Sequence, residues 1–268
     1  MLKIASKPSW FHLICALLGS LVVLFVVAPL LGLIVASSVS ELSEAALDRE
    51  VLQSIKLTLL ASLAAALVVT LGGVPLAYLL ARHEFPGKTW LLAVIDLPIV
   101  IPHSAAGIAL LTLVGRRSWL GPLVGEEGLM GTVAGIAVAM AFVSLPFLIN
   151  AAREGFIAVP VRLEKAARTL GASPSRVFFT ISLPLAWRGV MAGMILMWAR
   201  GISEFGAVVI VAYYPMTTPV MIFQRFNDFG LANARAISVI LILICVIIFI
   251  GLRLVAKPSR KRQRASDA

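Results

Sequence analysis

Hydrophobic residues run along this chain in long blocks, without the alternation or the single stripes of a soluble fold. Charge-free runs occupy residues 8–40, 57–81, 97–115, 128–152 and 205–224, with shorter ones at 189–199 and 236–252. A membrane-spanning helix needs about 20 mostly apolar residues. The runs predict six spans, at about 11–37, 57–81, 89–114, 130–152, 188–211 and 236–256. The expected fold class is an all-α polytopic membrane protein, read as one transmembrane domain over residues 1–268. Two shorter polar segments fit between spans. SELSEAALDRE (40–50) predicts an amphipathic surface helix, and 217–229, too polar at its end to span, a short or re-entrant helix.

The longest charge-bearing segment follows a different pattern. In VPVRLEKAARTLGASPSRVFFTISLPLAWRG (159–189), Pro160 can open a helix at a position where its missing N–H costs nothing. Leu163, Ala166, Ala167 and Leu170 then fall at i, i+3, i+4 and i+7, one narrow apolar stripe. Gly171 follows where a helix would end in a left-handed residue, and Ser173 and Pro174 restart a second helix as N-cap and first residue. The product is a short helix, a glycine corner and a helix that runs into the membrane. Its small alanines offer a face that a cleft in another protein could receive closely.

Composition agrees with the pattern: 60% of residues are hydrophobic, 13% charged, and the mean hydropathy is +1.00. The net charge of +10 reads as a topology signal. Sixteen Lys and Arg lie in the tail before the first span, the links around 82–88 and 153–188, and the tail from 253; five lie in the opposite links. Positive charge marks the cytoplasmic side, so both termini are expected there. The basic tail 257–268, with Lys257, Arg260, Lys261, Arg262 and Arg264, is placed to touch anionic lipid. Charge spread thinly over short loops argues against nucleic acid as a partner. Lys3 and Lys7 precede an apolar run too long for a signal-peptide core and without a convincing cleavage site, so a first span is expected. Cys15 and Cys245 lie inside apolar runs and read as small packing residues.

Candidate chemistry inside the membrane is sparse. In the third run Pro98 and Pro102 each remove a backbone donor, which predicts a broken span, and Asp96 and His103 flank the break. Asp96 either braces neighbouring helices or meets substrate. Arg116 and Arg117 close this span. The fifth run holds Arg200, about 18 Å past Arg188 at 1.5 Å per residue. Glu204 lies one turn further on, with Ser203 between them. An i,i+4 ion pair and a place on a transport pathway are both open. Gly131/Gly135 and Gly189/Gly193 have the spacing of close helix contacts. The Gly87-Lys88-Thr89 triplet mimics the end of a phosphate-binding loop, but Arg82 stands where that motif needs its first glycine. No catalytic residue, cofactor site or metal-ligand cluster is expected. If ATP drives this chain, a partner hydrolyses it.

The segment 164–184 resembles the EAA loop of ABC importer permeases. Ala166, Ala167, Gly171, Ile181, Leu183 and Pro184 match that pattern in spacing, and Lys165, preceded by Glu164, stands where the family has Glu. DLPIVIPHSAAGIALL (96–111), SLPFLINAAREGF (144–156) and ARGISEFGAVVIVAYYPMTTP (199–219) resemble molybdate/tungstate importer permeases, and sulfate/thiosulfate permeases more loosely. Together these segments cover most of 57–256. The resemblance implies a type I importer permease fold in the cell's inner membrane. It implies a pore made by two copies of the chain and two cytoplasmic ATPase subunits. An extracytoplasmic binding protein would deliver the oxyanion. It makes residues 159–184, with Leu163, Glu164, Lys165, Ala166, Ala167, Leu170 and Gly171, the helix that docks on the ATPase. The rival readings are a sulfate permease and an ion-coupled transporter using Asp96, Arg200 and Glu204 as a relay. An intramembrane enzyme is disfavoured, because no HExxH, GxSxG or metal-ligand cluster appears and only three scattered histidines do.

Overall fold

The computed structural model describes residues 10–115, 118 and 128–256, the side chains of 253–256 excepted. Lys3, Lys7, Arg116, Arg117 and the basic tail 257–268 lie outside the described residues. Contacts divide the chain into two units, Arg49–Phe223 and a smaller one formed by Met1–Asp48 with Gln224–Ala268.

In the smaller unit, α1 (Trp10–Val35) matches the first predicted span and buries none of its residues. α2 (Val39–Leu47) is the expected surface helix. Ser38 accepts from the Glu41 N–H while Glu41 accepts from the Ser38 N–H, a reciprocal capping box. Arg235 on α12 (Leu231–Ala256) donates to the Glu41 carboxylate at 3.1 Å.

The larger unit is built on three long helices: α3 (Arg49–Arg82), α6 (Val133–Ile157) and α9 (Leu183–Ile202). α3 starts two turns before its predicted span and continues through Pro75. Small residues let backbones approach where lipid supplies no hydrophobic drive. A Cβ on Gly189 of α9 would lie 2.6 Å from the Gly155 Cα of α6, and one on Gly193 would lie 2.9 Å from the Leu148 carbonyl. The Gly189/Gly193 spacing therefore marks a real helix crossing. The Gly131/Gly135 spacing does not: Gly131 is a positive-φ turn residue, and Gly135 sits in the first turn of α6 against the Leu129 carbonyl and Val211.

The third predicted span is indeed broken. α4 (Lys88–Val100) and α5 (His103–Val114) meet at 114° across Ile101 and Pro102. The fifth span differs from its expected limits of 188–211. Its helix starts earlier, at α8 (Pro174–Val177), passes through a five-residue π turn (Phe178–Ser182), and continues as α9 to Ile202. A separate short helix, α10 (Gly206–Val211), follows a break at 203–205. The apolar runs 189–199 and 205–224 stop on either side of Arg200 and Glu204, and joining them into one span passes over the point where the buried Glu204 interrupts the helix. α11 (Thr218–Phe229) is the expected short helix. Its first turn is held by Thr58 of α3, whose hydroxyl accepts from the Thr218 N–H at 2.8 Å. Among the described residues five helices have the length and apolarity of membrane spans, or six if the bent α4–α5 pair is one span.

Candidate functional site: an exposed helix and two buried glutamates

The segment between α6 and α8 forms α7 (Val161–Thr169), with Pro160 just before its first residue, extended and making no side-chain cap bond, and Leu170 just after its last. Gly171 has φ +85°, and the Ala172 N–H reaches the Ala167 carbonyl while the Gly171 N–H reaches that of Arg168. These paired bonds close a helix through a left-handed residue, which is why glycine stands there. Ser173 then accepts from the Arg176 N–H and Pro174 opens α8, as expected. The stripe faces outward: Leu163 is 41% and Leu170 89% exposed. Ala166 and Lys165 are exposed and Ala167 half-buried. Ala167, Leu170, Gly171, Ala172, Arg176 and Thr180 line a concavity of about 310 Å³ beside the corner.

Glu164 is the one buried residue of α7. Arg82, the last residue of α3, clamps it with Nε 2.9 Å and Nη2 2.8 Å from Oε1, and Nε 3.1 Å from Oε2. The same guanidinium donates to the Val159 carbonyl at 3.0 Å, and the Ser182 hydroxyl of the π turn donates to Glu164 Oε1 at 2.8 Å. Tyr78, Phe156 and Phe178 pack edge-on and tilted nearby, with centroids 5.0–6.0 Å apart. The sequence places Glu164 among the residues of the docking helix and Arg82 among the basic residues of a cytoplasmic link, and it does not pair the two. A basic residue ending a long span was the one available signal.

The second cluster lies where α9 breaks. The expected Arg200–Glu204 pair forms, Nη2 to Oε2 at 3.0 Å. His103, the first residue of α5, also reaches Glu204 Oε2, at 2.9 Å. Both contacts are ionic in distance and not aligned as hydrogen bonds at that oxygen. Arg200 Nη2 lies 2.9 Å from either imidazole nitrogen, and Nη1 donates to Ser203 at 3.2 Å. Glu204 is fully buried, and its Oε1 accepts from the Ala207 N–H at 2.8 Å. The carboxylate thus sits at the start of α10, satisfying one of that helix's orphan donors. A Cβ on Gly206 would lie 2.7 Å from the His103 Cβ, so α5 and α10 touch at this point. Asp96 is engaged elsewhere, receiving the Asn150 side-chain N–H of α6 at 2.7 Å. It braces two helices and is not part of the Arg200 group. No group of three metal-ligating side chains occurs among the described residues.

A bundle of apolar helices with one broken span, charged residues held in its interior and an outward-facing helix at the loop before α8 defines a membrane transport subunit. The chain belongs to the family of binding-protein-dependent transport system inner membrane components, which its residues 73–261 match. It is 45% identical over 240 residues to a molybdate/tungstate transport system permease protein of Thermococcus kodakarensis, covering 89% of this chain and 93% of that one. A probable sulfate transport system permease protein of Chlorokybus atmophyticus is 36% identical over 204 residues, covering 74% of this chain and 71% of that one. Among solved structures, a chain of a bacterial ABC transporter that imports the acidic polysaccharide alginate superposes with a TM-score of 0.69 at 14% identity. The match covers 92% of this chain and 95% of that one. The fold is that of type I ABC importer permeases.

Proposed function

We propose that this chain is the permease subunit of an ATP-driven importer for molybdate or tungstate. Two copies would form the pathway, two ATPase subunits would dock on the cytoplasmic side, and an extracytoplasmic binding protein would supply the oxyanion. The observation that carries this reading is α7. It is short, exposed along a small-residue stripe, closed by Gly171, and attached to the spans through Glu164. A helix built this way presents a face to a partner while its other side stays fixed. Relatives named for molybdate/tungstate are closer in sequence than those named for sulfate, which favours the former anions. The excess of Lys and Arg in the tails and in the links at 82–88 and 153–188 supports a cytoplasmic side for both termini and α7. In the resulting cycle, ATP binding draws the two α7 helices together and turns the spans outward; hydrolysis reverses this. Tetrahedral dianions are selected by the binding protein, so the pathway needs only a transient hold on them.

An ion-coupled relay through Asp96, Arg200 and Glu204 is disfavoured, because Asp96 is taken by Asn150. The test is reconstitution of the permease with its ATPase and binding protein in proteoliposomes. ATP-dependent uptake of molybdate or tungstate is expected, with sulfate at a lower rate. Uptake by the permease alone, driven by an ion gradient, would replace this reading with the relay. Preferential uptake of sulfate would leave the importer and change its substrate.

A further inference from the structure

The geometry points to Arg82, Glu164 and Ser182 as positioning residues that convert motion of α7 into motion of α3 and α9. They form a buried polar joint distinct from the face α7 offers its partner. The inference rests on the importer reading above. α7 has nine residues, too few to hold helical form alone, and buries one side chain, Glu164. Its attachment is therefore polar. An apolar contact can slide; a forked guanidinium–carboxylate pair fixes distance and plane together. Here the fork joins the last residue of α3 to the middle of α7, with side chains 8% and 6% exposed. Ser182 ties the same carboxylate to the residue preceding α9. The Val159 carbonyl ties Arg82 to the chain just before Pro160. Four segments thus meet on one carboxylate and one guanidinium. From Ser182, α9 runs 20 residues, or about 30 Å, to the break where Glu204 meets His103 of α5. A displacement of α7 is delivered to the base of that rod and, through Arg82, to α3. Lys165, exposed on the partner-facing side, takes no part in the joint.

The test compares anion delivered per ATP hydrolysed, in proteoliposomes holding permease, ATPase and binding protein. A residue needed only for folding lowers hydrolysis and uptake in parallel by reducing assembled complex, and leaves that ratio unchanged. Glu164→Gln and Arg82→Lys are each expected to copurify with the ATPase and hydrolyse ATP while delivering about tenfold less anion per ATP, the scale of one charged hydrogen bond. Ser182→Ala, which spares the ion pair, is expected to lower the ratio about threefold. The exchange Arg82→Glu with Glu164→Arg should recover part of the ratio lost by Glu164→Gln. Wild-type ratios in both Glu164→Gln and Arg82→Lys would overturn the inference. If Glu164→Gln does not assemble, the Arg82→Lys ratio decides on the same terms. A wild-type complex without ATP-dependent uptake would instead overturn the importer reading, before any variant is compared.

Discussion

Glu164 and Glu204 are both carboxylates buried in an apolar protein and both faced by an arginine, yet they are held in opposite ways. Glu164 is reached from other elements, by Arg82 and by Ser182, and the contacts its carboxylate makes with them cross between elements. Glu204 is held mainly by neighbours in sequence, Arg200 four residues before it and the Ala207 N–H three after, with His103 as its distant contact. The first arrangement binds separate pieces together. The second interrupts one helix and seats the next. Burial alone therefore does not say what an acidic residue does in a membrane protein; the sequence distance to its partners does.

Removing the arginine should separate the two most sharply. Arg82→Met leaves Glu164 buried with Ser182 as its remaining partner. The loss of one member of a buried pair costs about 3–5 kcal/mol, read as a lower unfolding midpoint of the detergent-solubilised permease. Arg200→Ala removes the equivalent partner of Glu204 but leaves His103 and the Ala207 N–H in place, so about half that loss is expected. Adding His103→Ala should bring the cost up to that of Arg82→Met, beyond the sum of the single changes, because the two side chains share one carboxylate oxygen. A loss for Arg200→Ala as large as for Arg82→Met would break the comparison. Assembly at normal yield with unchanged stability but no uptake would move Arg200 from structure to anion passage.

Much of this is legible in the sequence, and most of the illegible part has a common cause. Span positions follow from apolar length, and the corner at Gly171 from a glycine after a periodic stripe, because these are local properties. The Arg200–Glu204 pair is local too, at i,i+4. The Arg82–Glu164 fork joins residues 82 apart, and no pattern in either neighbourhood specifies the other. The same holds for Thr58 reaching Thr218. The end of α9 at Ile202 is hidden for another reason: Arg200 and Glu204 interrupt the apolar run there, but Gly206–Val211 beyond them is again apolar and helical, so the two pieces read as one span.

The other half of α7, its outer face, gives smaller effects. At Gly171 a Cβ would have open space, so the strain of Gly171→Val comes from the positive φ alone. That is about 1–2 kcal/mol, spent locally on the corner. The expected result is ATP hydrolysis with reduced uptake, and unchanged uptake would separate the corner from coupling. Lys165→Glu introduces the residue that the resemblance to the EAA loop leads one to expect at this position. Because the buried carboxylate is Glu164, this exchange is expected to leave the unfolding midpoint within about 0.5 kcal/mol of wild type. It should change only the salt dependence of ATPase binding. A large stability loss would mean that residue 165 competes with Glu164 for Arg82.

Glu41 supplies the exposed counterpart to both buried glutamates, and the smallest expected effect. It also faces an arginine, Arg235 at 3.1 Å, but its side chain is one-third exposed. Its carboxyl is held below the ordinary glutamate value, chiefly by the Ser38 backbone N–H it accepts in the capping box and then by Arg235. A carboxyl with a lowered value in the folded state stabilises that state above its ordinary value, and the contribution is lost as pH falls through the lowered one. The start of α2 should therefore hold unchanged from neutrality down to the ordinary carboxylate range and loosen only below it. A spin label at Ser43 would report this as mobility rising in acid. Glu41→Gln should remove that acid step while leaving uptake at neutral pH unchanged. A neutral-pH loss of uptake in Glu41→Gln would show that an exposed, capping glutamate matters as much as the buried ones, against the distinction drawn between Glu164 and Glu204.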